Sequence, residues 1–295
     1  MIVVAGGTGR LGSILVGRLV DRGLPVRVLT RDPSRAAHLG ADVAVATADV
    51  RDPGSLAAAV SGAKVVVSAV HGFAGPGGVT PAAVDRDGNR NLVDAAAAVG
   101  AQVVLMSVIG AAPDAEMELF RMKAAAEEHL HGLGVNATVV RSSAFAELWG
   151  ELVAATAGRS GRPLVFGRGQ NPVNFVSVRD VAALVEQVVT DPGARGTTWE
   201  IGGPETVTMT QLAETVQRLA GRDGSLRHVP PVALRLGAAT VGRVRPAIGR
   251  QLRAALAMDH VDLSADSTRV RAVFPLLPCT SLEEALRGDR SPSAA

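Results

Sequence analysis

Short, wholly apolar runs alternate along this chain with longer segments in which apolar residues recur every three or four positions. MIVVAG (1–6) is a continuous apolar run of strand length that stops at glycines. From Arg10 onward, Leu11, Ile14, Leu15 and Leu19 fall at helical spacing, and Gly23 follows as a helix-ending residue. The pattern predicts further strands at 24–30, 41–50, 63–70, 101–109, 135–141 and 197–203. It predicts a helix over 84–99 and another opening at ELFRMKAAAEEHL, 118–130. Asp52-Pro53 and Thr80-Pro81 read as N-cap followed by proline in the first turn. Ser177-x-x-Asp180 and Thr208-x-x-Gln211 read as capping boxes. Strands that are apolar on both faces and separated by helices require a parallel sheet covered on both sides.

The expected architecture is therefore α/β: a Rossmann doubly wound parallel sheet with a smaller C-terminal α/β substrate lobe. The first domain spans 1–141, later strands near 173–202 return to it, and 142–295 forms the interleaved lobe. Its small, polar tail from about 288 is expected to be disordered.

Composition narrows the classes. A formal charge of +2 and 3% aromatic residues give neither a basic footprint nor base-stacking platforms, so no nucleic-acid partner is expected. The single cysteine, Cys279, allows no internal disulfide and suits a reducing compartment. No apolar run reaches the ~18 residues of a membrane span, and Met1 leads straight into a strand, so the expected setting is cytoplasmic.

The chemistry begins at VVAGGTGRLGSIL, which sets Gly6, Gly9 and Gly12 between the first strand and the first helix. Glycines there let the backbone turn tightly against a pyrophosphate, and the helix N-terminus offers unpaired N–H groups and a positive dipole end. The second strand ends in VLTRDP, delivering Arg31 where a dinucleotide's adenosine ribose would be read. With Arg10 from the glycine loop it would form a guanidinium clamp on a 2′-phosphate, favouring NADP(H) over NAD(H). The competing reading has Asp32 capping the next turn and both arginines solvated. Asp49, ending the third strand, is either an adenine contact or a loop aspartate beside the cap Asp52.

These residues, with VDRDGNRNLVDAAAAVGAQVVLMSVIG, NATVVRSSAF and NFVSVRDVAALV, resemble the NmrA-like branch of the atypical short-chain dehydrogenase/reductases over roughly residues 1–220. The resemblance implies NAD(P)H binding, with a pyrophosphate loop of Gly6, Thr8, Gly9, Arg10, Leu11 and Gly12 and with Arg31 at the 2′-phosphate. It implies Asp49 and Val50 at the adenine, and Ala69 and Val70 along the ribose. Ser107 then matches the active-site serine of the wider superfamily, and Lys123 the lysine that reaches the nicotinamide ribose. It also implies either a reductase of small molecules or an NADPH-binding sensor that partners another protein. The oligomeric state is not legible.

One residue type is missing. In the wider superfamily the acid/base is a tyrosine one helical turn before the lysine, but position 119 is Leu, and the chain has no tyrosine at all. Tyrosine-dependent chemistry is excluded by composition. Three routes remain: Lys123 moves the proton, a quinone-like or conjugated acceptor takes it from water, or the protein only binds NADPH. The balance favours Lys123 holding the cofactor.

Other constellations are weaker. His129 and His131 face different directions on one helix, and Asp259, His260 and Asp262 read as a polar loop, so no metal is expected. His71, directly after the fourth strand, is a candidate proton donor. The arginine-rich stretch from Arg222 to Arg253 reads as a solvated face over the apolar stripe of VALRLGAAT, with a basic rim that attracts an anionic substrate or a partner as the alternative.

Overall fold

A computed structural model describes residues 1–73, 79–134, 137–158 and 161–288. The tail expected beyond 288 and the first two residues of the strand expected at 135–141 lie outside the described residues.

The predicted strands form, those wholly within the described residues shorter than their apolar runs and the one expected at 135–141 reaching Ser142. They are β1 (Ile2–Ala5), β2 (Val26–Thr30), β3 (Ala44–Thr47), β4 (Val65–Ser68), β5 (Gln102–Val108) and β6 (Ala137–Ser142). β7 is Leu164–Phe166 and β8 is Thr198–Ile201. Among the described residues seven strands make one sheet in the order β3-β2-β1-β4-β5-β6-β8. The pairs β1–β2, β1–β4, β2–β3 and β4–β5 are parallel, with Ile2 opposite both Val26 and Val65. β1 sits between β2 and β4, so the strand order reverses direction there. Such a switch point opens a crevice beyond the strands' carboxyl ends, where doubly wound sheets bind ligands.

Helices α1 (Arg10–Asp21), α2 (Pro53–Val60), α3 (Asn89–Ala98) and α4 (Glu118–Gly132) connect these strands. Val3, Val66, Leu92, Val103, Leu105 and Leu130 belong to one buried core joining sheet and helices. Each such side chain contributes roughly 1.5–3 kcal/mol when taken out of water. Asp52 caps α2 by accepting from the Gly54 N–H at 3.0 Å.

The helix expected over 84–99 is corrected. Thr80 caps the segment as anticipated, but Pro81–Gly88 is wound as a π-helix before α3 begins at Asn89. The wider turn is a local irregularity that apolar periodicity does not register, and π-turns concentrate at functional sites.

The chain divides into two compact units. One comprises Met1–Arg141, Arg179–Trp199 and Val273–Pro278; the other comprises Ser142–Val178, Glu200–Ala272 and Cys279–Ala295. The second contains α5 (Ala146–Thr156) and α7 (Met209–Leu219), and pairs β7 with β9 (Arg227–Val229) in parallel. The Thr208 capping box forms with Gln211 at the start of α7. The Ser177 hydroxyl donates to the buried Glu147 Oε1 at 2.7 Å, and the Glu147 carboxylate also accepts the Val178 N–H where α6 (Val178–Thr190) starts.

The arginine-rich stretch carries α8 (Pro231–Val244) and α9 (Pro246–Met258). Its apolar stripe is only half covered, which corrects the expected arrangement. Leu234 is buried, whereas Val232 and Leu236 are 71% and 64% exposed. Successive apolar positions two apart point to different sides of a helix. Among the described residues no helix is long and apolar enough to cross a membrane.

Candidate active site

The glycine loop between β1 and α1 is built so that nothing larger fits. Gly6 has φ +82°, and a Cβ on it would lie 2.6 Å from the Ala69 carbonyl oxygen at the end of β4. A Cβ on Gly12 would lie 2.2 Å from the Gly6 carbonyl oxygen. Gly9 is the N-cap of α1 and gives that helix no side-chain cap, while the Gly9 N–H bonds back to Gly6 O at 2.9 Å. The result is a backbone concavity at the sheet's switch point, topped by a helix N-terminus whose N-cap residue, Gly9, has no side chain to cap it. That shape and polarity fit a dinucleotide pyrophosphate. Leu11 packs inward, and Thr8 and Arg10 stay half-buried at the rim.

The residues expected at the adenosine divide. Arg31 is exposed at the end of β2. Asp32 caps the following 3-10 turn through the Ser34 N–H (3.0 Å) and hydroxyl (2.6 Å), and these bonds hold its carboxyl below the usual range. Asp49 is engaged within its own loop, accepting from Arg51 Nη2 at 2.6 Å and from the Arg51 N–H at 2.9 Å. The Arg51 bond leads the influences that lower its carboxyl, and the charge of Arg31 adds to them. Arg31 and Asp49 therefore share one neighbourhood. Val50 is buried, and its carbonyl accepts from Asn91 Nδ2 at 2.9 Å.

On the other side of the switch point the structure gathers Ala69, Val70, Ser107 and Lys123 around residues the sequence reading passed over. Lys123 is only 4% exposed. Its ammonium donates to the Met106 carbonyl on β5 at 2.9 Å and to the Val70 carbonyl at 3.3 Å. It lies 3.1 Å from Oδ1 of Asp85, a fully buried carboxylate of the π-helical segment. Asp85 Oδ2 accepts the Gly72 N–H at 2.9 Å, and the Asp85 carbonyl accepts Asn89 Nδ2 at 2.8 Å. Asn89 in turn accepts the Ser68 hydroxyl. Burial, the largest influence on Asp85, pushes its carboxyl upward; the Lys123 charge and the His71 ring outweigh it, so the group is held below the usual range.

Ser107 meets a different partner. Its hydroxyl donates to Glu127, itself buried on α4 and held by Arg141 Nη2 at 2.6 Å. The Ser107 proton is thus committed, and the oxygen keeps only acceptor capacity toward anything else. Leu119, one turn before Lys123, is buried, so a hydrocarbon stands where a phenol would be.

Asp85, Asn89 and Glu127 were missed. Their signal was present: Asp85 and Asn89 are four apart in a segment that reads as a core helix, and Glu127 is one turn after Lys123. Polar side chains at core positions need partners. The Asp259 cluster resolves otherwise: Asp259 Oδ1 accepts the Arg168 and Gly169 N–H groups at 2.8 and 3.0 Å. Among the described residues no three His, Cys, Asp or Glu side chains assemble a metal site.

Sheet order, glycine cradle and buried lysine define an NAD(P)-binding Rossmann-type oxidoreductase class. Within it the chain belongs to the NmrA-like family, whose model matches residues 1–241. It is 32% identical over 226 residues to the NAD(P)H azoreductase of Xenophilus azovorans, covering 75% of this chain and 74% of that protein. In fold it superposes on the Escherichia coli NADPH-dependent quinone oxidoreductase complexed with NADPH, with a TM-score of 0.79 and 21% identity over 98% and 99% of the two chains. The Citrobacter triphenylmethane reductase complexed with NADP(H) gives 0.78 at 19% identity, over 97% and 99%.

Proposed function

We propose that this protein is an NADPH-dependent reductase that passes hydride to a small quinone-like or conjugated acceptor without a tyrosine. The observation that carries the reading is the glycine-only crossing at the switch point, where the α1 N-terminus has no side-chain cap. The azoreductase relative, acting through NAD(P)H, supports the reaction class.

The loop backbone from Gly6 to Gly12 would hold the pyrophosphate, and Arg31 with Arg10 would close on the 2′-phosphate, which favours NADP(H) over NAD(H). When bound, the dihydronicotinamide supplies the hydride. Ala69 and Val70 would line the ribose. Lys123 positions the Val70 backbone from beneath by donating to its carbonyl, so its contribution is to hold the cofactor's floor. A lysine in a buried ion pair with two further carbonyl acceptors is poorly placed to trade protons with a substrate.

That same observation favours a second reading, a regulator that binds NADPH and signals to a protein partner without turnover. NADPH oxidation across quinones, enones and cationic dyes, alongside calorimetric NADPH binding, separates the two. Turnover on any of these acceptors is expected. Tight NADPH binding with no oxidation on the whole panel would replace the reductase with the regulator.

A further inference from the structure

With no tyrosine in the chain and Lys123 engaged, a reductase of this design lacks an evident proton donor for acceptors that need one. Among the titratable groups around Lys123 that the reading above does not use, His71 is the one whose side chain is substantially exposed. His71 lies three residues beyond the end of β4, at the carboxyl edge of the sheet. In doubly wound sheets the dinucleotide straddles the switch point with its two halves on opposite sides. Arg31, at the end of β2, marks the adenosine side; β4 and β5 lie on the other, the nicotinamide side.

His71 Nδ1 sits 3.5 Å from Asp85 Oδ1, and the two side chains are 51% and 0% exposed. Oδ1 is buried, with Lys123 Nζ at 3.1 Å and His71 Nδ1 at 3.5 Å as its cationic neighbours, neither in good hydrogen-bond alignment. A small rotation of the imidazole would satisfy it. The other oxygen, Oδ2, accepts the Gly72 N–H at 2.9 Å, which holds the carboxylate in this orientation. The Phe73 ring stacks on His71, with centroids 6.1 Å apart and planes 20° from parallel. A carboxylate on one imidazole nitrogen orients the ring and leaves the other nitrogen presented outward, the arrangement by which histidines transfer protons.

We propose that His71 is the proton donor of the reductase, with Asp85 and Lys123 as its positioning pair. This rests on the reductase reading above. The acceptor takes hydride, with both electrons, from the reduced dinucleotide as that C–H bond breaks. The His71 Nε2–H bond breaks as its proton passes to the acceptor's oxygen, nitrogen or α-carbon. Neutral imidazole then regains a proton from water, and the dinucleotide is left oxidised.

The experiment compares a proton-requiring acceptor with one that needs hydride alone. 2-Cyclohexenone takes hydride and proton; a triarylmethyl carbocation dye is neutralised by hydride only. His71→Gln is expected to lower the ratio of enone to dye turnover roughly a hundred-fold, within the usual range of general-acid catalysis. Imidazole added to His71→Ala should restore enone turnover. The side chain is half exposed, so both variants are expected to melt with the wild type. An unchanged ratio without imidazole rescue overturns the proposal and leaves the reductase standing, as does wild-type turnover of the dye alone. If the wild type turns over the enone alone, the His71→Gln rate and the imidazole rescue decide it by the same criteria. No wild-type turnover on either acceptor overturns the His71 proposal, and the reductase falls with it when the quinones of the wider panel also fail.

Discussion

Lys123 Nζ lies 3.1 Å from Asp85 Oδ1, with the lysine side chain 5% exposed and the aspartate 0%. A buried ion pair adds little net stability over an apolar pair, because each charge must first leave water. Breaking it by removing one partner is different, since the other charge stays buried and uncompensated. The pair therefore tethers α4, through Lys123, to the π-helical segment that carries Asp85.

Asp85→Asn and Lys123→Met should each destabilise the fold by about 3 kcal/mol, while the double variant loses much less than the sum. Urea unfolding of the four proteins measures the coupling. Additive losses would show that the pair does not act as a unit.

The same pair sets an acid dependence. Folded Asp85 has the lowered carboxyl, so the unfolded chain takes up the proton first as pH falls. Its contribution to stability should be complete above about pH 4–5 and drain away below, through the lower folded value. In Lys123→Met burial, already the largest influence, loses the charge that opposes it most and raises the carboxyl, so the Asp85 contribution should reverse sign and stability should fall as pH rises. Thermal melts from pH 3 to 7 compare the two slopes.

Gly12→Ala would place a methyl 2.2 Å from the Gly6 carbonyl oxygen. It should distort the loop, abolish NADPH binding and lower the melting temperature. Gly17→Ala, further along α1 with nothing within 4 Å of the new Cβ, should instead stabilise by roughly 0.5–1 kcal/mol. Calorimetric titration with NADPH and a melt of each variant test both.

Arg31→Ala should weaken NADPH binding by about ten-fold or more while leaving NADH binding nearly unchanged, since only one carries the 2′-phosphate. Equal losses for both cofactors would place Arg31 away from that phosphate.

Ser107→Ala removes the hydroxyl that donates to Glu127 while Arg141 keeps the carboxylate compensated. A loss of about 1 kcal/mol in stability is expected, with kcat/KM on an enone nearly unchanged. A large fall in kcat alone would restore the serine to the chemistry.

The legible part of the site was the part made by neighbours in sequence. Gly6, Gly9 and Gly12 declare a loop because one backbone turn needs all three, and Asp52, Thr80 and Thr208 declare helix starts within three residues of themselves. Arg31 at a strand end could be placed from strand length alone, whereas the engagement of Asp49 by Arg51 could not, because a carboxylate's partner depends on rotamers and on competing donors. Asp85, Glu127 and Ser107 were harder still. Each is an ordinary polar residue in its own segment, and only the packing of α4 against β5 and the π-turn makes it a buried partner of something distant.

The sequence by itself determined the alternation of strand and helix, the parallel sheet with its glycine loop, and the absence of a phenolic acid, because periodicity, glycine spacing and composition are properties of the chain alone. Tertiary structure decided what Lys123 is bound to. Its ammonium is claimed by Asp85, Met106 and Val70, from three segments 17 to 53 residues away, and burial makes those claims exclusive. In water the same lysine would have exchanged partners freely; removed from water, it must keep the ones the fold provides.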